Sequence, residues 1–341
     1  MTNTPVPDPP QNSKLNPALG WTQPQDFDWL DDAGPAVAAQ TAWHDGSYDE
    51  PSLFHVVFRP DGPFAISCGA GLLAEHIRHF RFSPEVILRM GQMSGAPGRA
   101  LFSESFLNHL QRLRLRVDVW AAPEGMLLLP GEPLAVLRGP YAQILLMESA
   151  LRWLLWRSTQ WATRSALLRW EQQAWTEEDT PPAPPAPFNP DGWKVRAEYI
   201  GGASAPAMQE THGAPSQLPD ADEGLIPVWR AQTGNSDKHK PLVQIRRVYR
   251  GNHALGDIWL TQEQEEKASV SKTSAGIVDA RTHRHKTLKF TRFQNLYQPL
   301  LAKGHPVVPN TRASYLRQRT LKQLEAFHFA PLGEYPHGWW D

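Results

Sequence analysis

Apolar positions in this chain first fall into a regular rhythm at Leu53. The run LFHVVF is a strand candidate, Pro60-Asp61-Gly62-Pro63 a turn, and FAISC a second strand. Gly69 and Gly71 bracket a strand-to-helix turn, after which Leu72, Leu73, His76, Ile77 and Phe80 share one helical face. Ser83-Pro84 pairs an N-cap residue with proline at the first helical position, and Val86, Ile87 and Met90 form the apolar side of the helix it opens. Ser103 opens another helix, with Phe106, Leu107, Leu110 and Leu113 inward. Strand candidates follow at 115–121, 126–129 and 134–137, punctuated by Pro123, Gly125, Pro130, Gly131 and Pro133.

The clearest helix runs from Tyr141 to about Trp175, with Ile144, Met147, Leu151, Leu154, Leu155 and Ser158 at helical spacing. Glu148 precedes Arg152 by four residues, the favourable order for an ion pair. The segment TEEDTPPAPPAPFNPDG then reads as a linker, because repeated prolines break both helix and central strand. Residues 194–240 show little periodicity. Strand candidates return at 242–249 and 256–260, 262–286 reads as polar loop, and a last helix is expected over 311–327.

This pattern predicts an α+β fold: an antiparallel sheet from residues 53–138, joined by strands from 242–260, with helices 141–175 and 311–327 packed against it. Four segments are expected: an irregular N-terminal segment (1–50), a first domain (51–175), a proline-rich linker (176–240) and a C-terminal segment (241–341) that returns to the first domain.

Composition narrows the function classes. A net charge of -1 gives no global field toward nucleic acid or anionic membrane. One cysteine, Cys68, excludes an internal disulfide framework and suits a reducing compartment. The polar, proline-rich N-terminus lacks the apolar core of a signal peptide, and the longest apolar stretch, 144–156, carries Glu148 and Arg152. A soluble cytoplasmic protein is expected. The 14 tryptophans and 32 prolines predict large aromatic packing units and rigid loops.

Several segments recur in a familiar order: FAISCGAGLLAEHI, SESFLNHLQRLRLRVDVWAAPEG, LLLPGEPLAVLRGP, QILLMESALRW and the ATR of Ala162-Thr163-Arg164. Together, from Phe54 to Arg164, they resemble the N-terminal domain of nicotinate phosphoribosyltransferases. RAEYIGG (196–202) resembles the family segment that leads into the catalytic barrel. RRVYR, GDIWL and the Pro-Leu-Leu-x-x-Gly stretch at 299–304 resemble its C-terminal return.

The resemblance implies the family's outer domain and a homo-oligomer in which that domain covers the barrel of the neighbouring subunit. It also implies a reaction joining nicotinate to the anomeric carbon of phosphoribosyl pyrophosphate, with Mg as the accompanying metal. An α/β barrel needs about 250 residues. Too few separate Tyr199 from Lys240 to hold one, so the complete barrel is expected to be missing. The family's phosphorylatable histidine has no counterpart in context; His212, in ETHGAP, stands nearest. The resemblance therefore implies a protein of NAD salvage without transferase activity of its own, or one completed by a barrel-bearing partner chain.

Candidate ligand-binding residues are Arg164, at the end of the ATR motif, and Arg196, Tyr199, Gly201 and Gly202, where glycine could let backbone approach a phosphate. No catalytic residue is assigned. Glu124-Gly125 reads as a turn. The basic run Arg281, His283, Arg284, His285, Lys286, Lys289 and Arg292 offers phosphate or RNA contacts, against a plain reading as a solvated loop, and no nucleic-acid partner is expected. His283 and His285, and His76 and His79, lack further ligands at metal-binding spacing, so no metal site is assigned. Cys68 shows no sign of activation.

Overall fold

A computed structural model describes residues 33–171 apart from 79, 96 and 97, then 191–203, 224–230, 242–261 apart from 252, 274–278, 285–307 and 311–326. The expected mix of helix and antiparallel sheet is present: every strand pairing among the described residues is antiparallel.

The main sheet has six strands. Within it β1 (Pro51–Val57) lies against β5 (Ala135–Pro140), with Phe54 opposite Leu137 and Val56 opposite Ala135. β3 (Asp118–Ala121) continues from β5, followed by β12 (Gln298–Ala302) and β13 (His305–Pro306); β6 (Gly224–Arg230) closes the other side. Proline cannot donate to a ladder, and its three occurrences in the outer strands obey that rule. Pro227 and Pro306 lie on the two edge strands, and Pro299 sits where the register of β12 shifts against β3.

Two smaller sheets complete this part of the chain. β2 (Ala65–Ile66) pairs with β4 (Leu127–Leu128), and β11 (Arg292–Asn295), β7 (Leu242–Arg250) and β8 (His253–Thr261) form a separate sheet in that order. The expectation that 242–260 joins the main sheet is therefore corrected. The strands that do join it from the distal part of the chain are β6, β12 and β13. Alternation alone marks a strand but leaves its partner open.

Serine caps start two of the helices. Ser83 Oγ accepts from Val86 N–H at the start of α3 (Pro84–Gln92), and Ser103 Oγ accepts from Phe106 N–H at the start of α4 (Glu104–Gln111). α2 (Ala70–Arg78) precedes them and places Leu72, Leu73 and Ile77 in the main core. The long helical stretch is built from α5 (Tyr141–Leu146), α6 (Glu148–Ala150), a π-helical turn at Leu151–Trp156, and α7 (Arg157–Glu171). The widened turn lies against Gly69, where a Cβ would stand 1.7 Å from the Leu154 carbonyl oxygen. Gly69 also has φ +93°, so both its space and its backbone require glycine.

Three further expectations are corrected. The segment 1–50, expected to be irregular, contains α1 (Gly34–Asp45). Pro35 opens this helix rather than breaking it, and Ala39 and Ala42 are buried against the α4–α5 region beside Phe106 and Leu146. Within 176–240, expected as a proline-rich linker, the described residues include α8 (Asp191–Ile200) and β6. The polar stretch 262–286 was expected as loop, yet β9 (Ser274–Val278) pairs with β10 (His285–Lys289) as a hairpin. The last helix, α9 (Ala313–Ala326), stands where it was expected. No described helix is long and apolar enough to cross a membrane.

Candidate functional site

Five of the segments singled out in the sequence converge on one buried junction. β2 is a two-residue strand with only β4 as a strand partner, so its remaining amides need donors and acceptors from elsewhere. α7 supplies them. Ile66 N–H donates to Thr163 Oγ1 at 2.9 Å, and Cys68 N–H donates to Thr159 Oγ1 at 3.1 Å. Thr159 Oγ1–H returns a bond to the Cys68 carbonyl at 3.2 Å. Threonines four apart on one helix face thus act as a side-chain ladder for the chain entering α2.

Glu124 closes the junction from the opposite side. Its Oε1 accepts from Gly69 N–H at 2.7 Å and from Arg196 Nη1 at 2.8 Å, while Oε2 accepts from Arg196 Nη2 at 2.8 Å. Both side chains are buried. Burial pushes the Glu124 carboxyl upward, but the charge and hydrogen bonds of Arg196 outweigh it, and the group lies below its ordinary range. Burial likewise opposes the charge on Arg196, and Glu124 more than offsets this, so the guanidinium is held more firmly protonated than usual. The Cys68 thiol lies 3.7 Å from Glu124 Oε1 and also accepts from Arg196 Nη1. Burial, and after it the Glu124 charge, pushes this thiol far above the ordinary range, which leaves it without nucleophilic character.

α9 packs over the same turn. Gln323 Nε2 and Thr320 Oγ1 donate to the Gly125 carbonyl, Gln323 Oε1 accepts from Leu127 N–H, and Arg319 donates to the Glu124 carbonyl. A Cβ at Gly125 would lie 2.5 Å from the Leu316 carbonyl oxygen, and its φ is +74°. Glu124-Gly125 is therefore a turn, as its sequence indicates, and also the carboxylate that ties α8 to the first domain.

The candidate ligand-binding residues fall into different roles here. Arg196 is spent on Glu124. Gly201 backs onto α7, with a Cβ position 2.1 Å from the Ala162 carbonyl oxygen. Its N–H donates to Ala197 O and that of Gly202 to Tyr199 O, so this turn is a helix C-cap with its amides pointing back into α8. It presents carbonyls, and arginines accept that invitation: Arg169 donates to Gly202 O, and Arg317 donates to Tyr199 O and Ala203 O while lying over the Tyr199 ring. An anion nest has no open amide at Gly201 or Gly202. Arg164, on α7, is exposed. His76 is buried with its ring edge-on to Phe80, whereas His79, His212, His283 and Arg284 lie outside the described residues.

A second buried cluster joins the three-stranded sheet to the β4 turn. Arg247 on β7, fully buried, donates through Nε and Nη2 to Asp257 on β8 at 2.8 and 2.6 Å. Its Nη1 donates to the Leu127 carbonyl at 2.5 Å, and its Nη2 reaches Glu132 Oε2 at 3.4 Å. The sequence signal for this cluster is modest: Ile245, Arg247 and Tyr249 share the strand period, placing an arginine in an otherwise apolar row.

Mg and phosphoribosyl pyrophosphate can be tested against these groups. Magnesium takes carboxylates with open oxygen positions and its donor carries several negative charges. The buried carboxylates Glu124, Glu132 and Asp257 already meet guanidinium groups, and among the described residues no group of three or more His, Cys, Asp or Glu is placed to hold a metal ion. The described residues do not fit that pair, and no step is derived through it.

No family model matches the chain. The Mycobacterium tuberculosis nicotinate phosphoribosyltransferase pncB2 is 31% identical over 101 residues, covering 29% of this chain and 20% of that protein. The Bos taurus nicotinate phosphoribosyltransferase is 31% identical over 144 residues, 41% of this chain and 26% of the relative. The chain thus spans about a fifth to a quarter of the length of these curated relatives. Among solved structures, human nicotinic acid phosphoribosyltransferase superposes with a TM-score of 0.66 at 15% identity, over 89% of this chain and 94% of that one, a likeness of fold.

Proposed function

From the relationship of this chain to nicotinate phosphoribosyltransferases, we propose that it is a binding or regulatory protein of NAD salvage that carries out no phosphoribosyl transfer by itself. The observation that carries this reading is the fate of the segment 196–202. In the resemblance it leads into the catalytic barrel. Here its arginine is locked to Glu124, its amides cap α8 and Gly201 is wedged against α7. Transfer through an oxocarbenium-like transition state needs preorganised donors aimed at a developing charge. A segment whose donors are consumed in packing cannot supply them. The antiparallel pairing of the described strands supports the same reading, since donor sites of this reaction class sit at the ends of parallel barrel strands.

The binding role rests on Arg164, whose side chain is exposed on α7 beside the junction-forming Thr163. It suits the carboxylate of nicotinate or the phosphate of its mononucleotide. Thermal unfolding with each compound tests this. A compound present at about 100 times its Kd stabilises by about 2.7 kcal/mol, and Arg164→Ala is expected to abolish the shift. Unchanged Tm for the parent protein with both compounds contradicts the binding role.

A further inference from the structure

α1 is fastened to α4 at two points that neither the junction nor the proposed function uses. Near its middle, Gln40 bridges to the start of α4: its Nε2 donates to the Leu101 carbonyl at 2.9 Å, and its Oε1 accepts from Ser103 N–H at 2.6 Å. At its end, Trp43 and the following Tyr48 enclose His109, on the last turn of α4. The imidazole lies over the Trp43 ring, with centroids 4.4 Å apart and planes inclined by 33°, and Tyr48 meets it edge-on at 4.7 Å. The turn that carries Tyr48 also serves α5. The Tyr48 and Glu50 carbonyls accept from Ala142 and Tyr141 N–H, at a helix start that no side chain caps.

His109 is the member of this cluster that titrates near neutrality. Its Nε2 is closed off from solvent and meets no hydrogen-bond partner among the described residues, and the buried Tyr48 hydroxyl beside it meets none either. A neutral ring tolerates an enclosed, unpartnered nitrogen far better than a charged one, because a proton adds a donor and a net charge that water cannot reach. The Trp43 face returns part of that cost. The surrounding charges do not return the remainder: Asp49 favours the proton, Arg116 opposes it, and the two pair with each other. His44 and Asp45 at the end of α1 and Arg112 just after α4 are exposed, Glu50 is buried, and burial keeps the Tyr48 hydroxyl protonated. Burial outweighs Asp49 and holds the imidazole below its ordinary range.

We propose that His109 is a proton-operated latch on α1. Its neutral ring holds Trp43 and Tyr48 against α4, and a proton taken up in mildly acidic solution sends the ring out to water and frees α1 together with the turn at 47–50. Release uncovers Phe106 and Leu146, beside which Ala39 and Ala42 are buried, and withdraws the carbonyls that cap α5. The pH window follows from the sign. Docking on the neutral ring is complete above about 6.5, the ordinary histidine value. It weakens as pH falls from there through the lower value of the docked ring.

The test is amide hydrogen exchange of the full chain by mass spectrometry between about pH 7.5 and about pH 5.5, corrected for the intrinsic pH dependence of exchange. One proton gained on opening raises the opening constant by up to about ten-fold per pH unit below about 6.5. Peptides covering 34–50 are expected to lose protection by up to that factor, while peptides of α7 keep theirs. His109→Phe keeps a ring between Trp43 and Tyr48 that cannot take the proton, and its protection over 34–50 should be the same at both ends of the range. Asp49→Asn, at an exposed position, removes the charge that favours the proton and should move the onset of opening to lower pH. The parent and Asp49→Asn decide the matter if His109→Phe does not fold. Unchanged protection of 34–50 in the parent, an equal loss in a folded His109→Phe, an onset in Asp49→Asn that stays or rises, or a loss spread evenly over the chain would each overturn the proposal.

Discussion

Glu132 and Asp257 approach the same nitrogen, Nη2 of Arg247, at 3.4 and 2.6 Å, in a cluster closed to solvent. Two carboxylates against one guanidinium leave an uncompensated buried negative charge unless one of them holds a proton. Asp257 makes the shorter contacts and stays ionised: burial raises its carboxyl, but Arg247 outweighs burial and holds it below the ordinary range. Glu132 takes the proton, pushed well above the ordinary range by burial and by the Asp257 charge.

This assignment fixes a sign. A carboxyl raised in the folded state contributes stability below its unfolded value, about 4.3, and loses that contribution as pH rises through the folded value. Glu132→Gln imitates the protonated form. Urea unfolding at several pH values should show the variant gaining on the parent as pH rises from acid to alkaline conditions. Parallel profiles for the two proteins would show that Glu132 carries no such proton.

Glu124 runs the other way. Its carboxyl is depressed in the folded state, so its contribution is present above about 4.3 and disappears as pH falls through the lower folded value. Removing either partner of a buried ion pair costs about 3 to 5 kcal/mol, because the other charge stays buried. Arg196→Met is expected to fall in that range. The double variant Arg196→Met with Glu124→Leu should recover most of the loss, and a double variant as unstable as the sum of the singles would contradict the pairing.

Gly201→Ala tests the docking of α8 on α7. The new methyl would stand 2.1 Å from the Ala162 carbonyl oxygen, a backbone atom with little freedom to yield. A loss of about 1 to 3 kcal/mol is expected, as for other overpacked sites. Gly46→Ala offers a contrast, since its Cβ meets nothing within 4 Å and only the left-handed backbone is strained. Equal effects at the two positions would argue against the close approach.

Cys68 supplies a reactivity prediction. Its thiol is fully buried and held protonated by burial and by Glu124. Native protein should resist iodoacetamide at neutral pH and label fully in denaturant. Rapid native labelling would show that the junction opens.

Much of the fold was legible because it rests on local rules. The serine-capped helices at 84–92 and 104–111, the helix after Gly69 and the strand pair at 51–57 and 135–140 follow from caps and periodicity. What periodicity could not reveal was partnership. Residues 242–260 alternate like any strand, and nothing in that alternation says they pair with 292–295 rather than with the main sheet. α1 was hidden by Pro35, which reads as a breaker until its place at the helix start is known. The site was legible as a set of motifs but not as a set of roles. Arg196 and the two glycines look like ligand groups in one dimension, and only the fold brings Glu124 and Ala162 close enough to occupy them. Thr159 and Thr163 gave no warning that they would complete the amides of β2.

The central claim is that this chain carries out no phosphoribosyl transfer by itself, and the most direct measurement is product formation. Purified protein is incubated with nicotinate, phosphoribosyl pyrophosphate, magnesium and ATP, and nicotinate mononucleotide is followed by chromatography. The account predicts no product above a protein-free blank. Mononucleotide accumulating in proportion to the amount of this chain alone would contradict it.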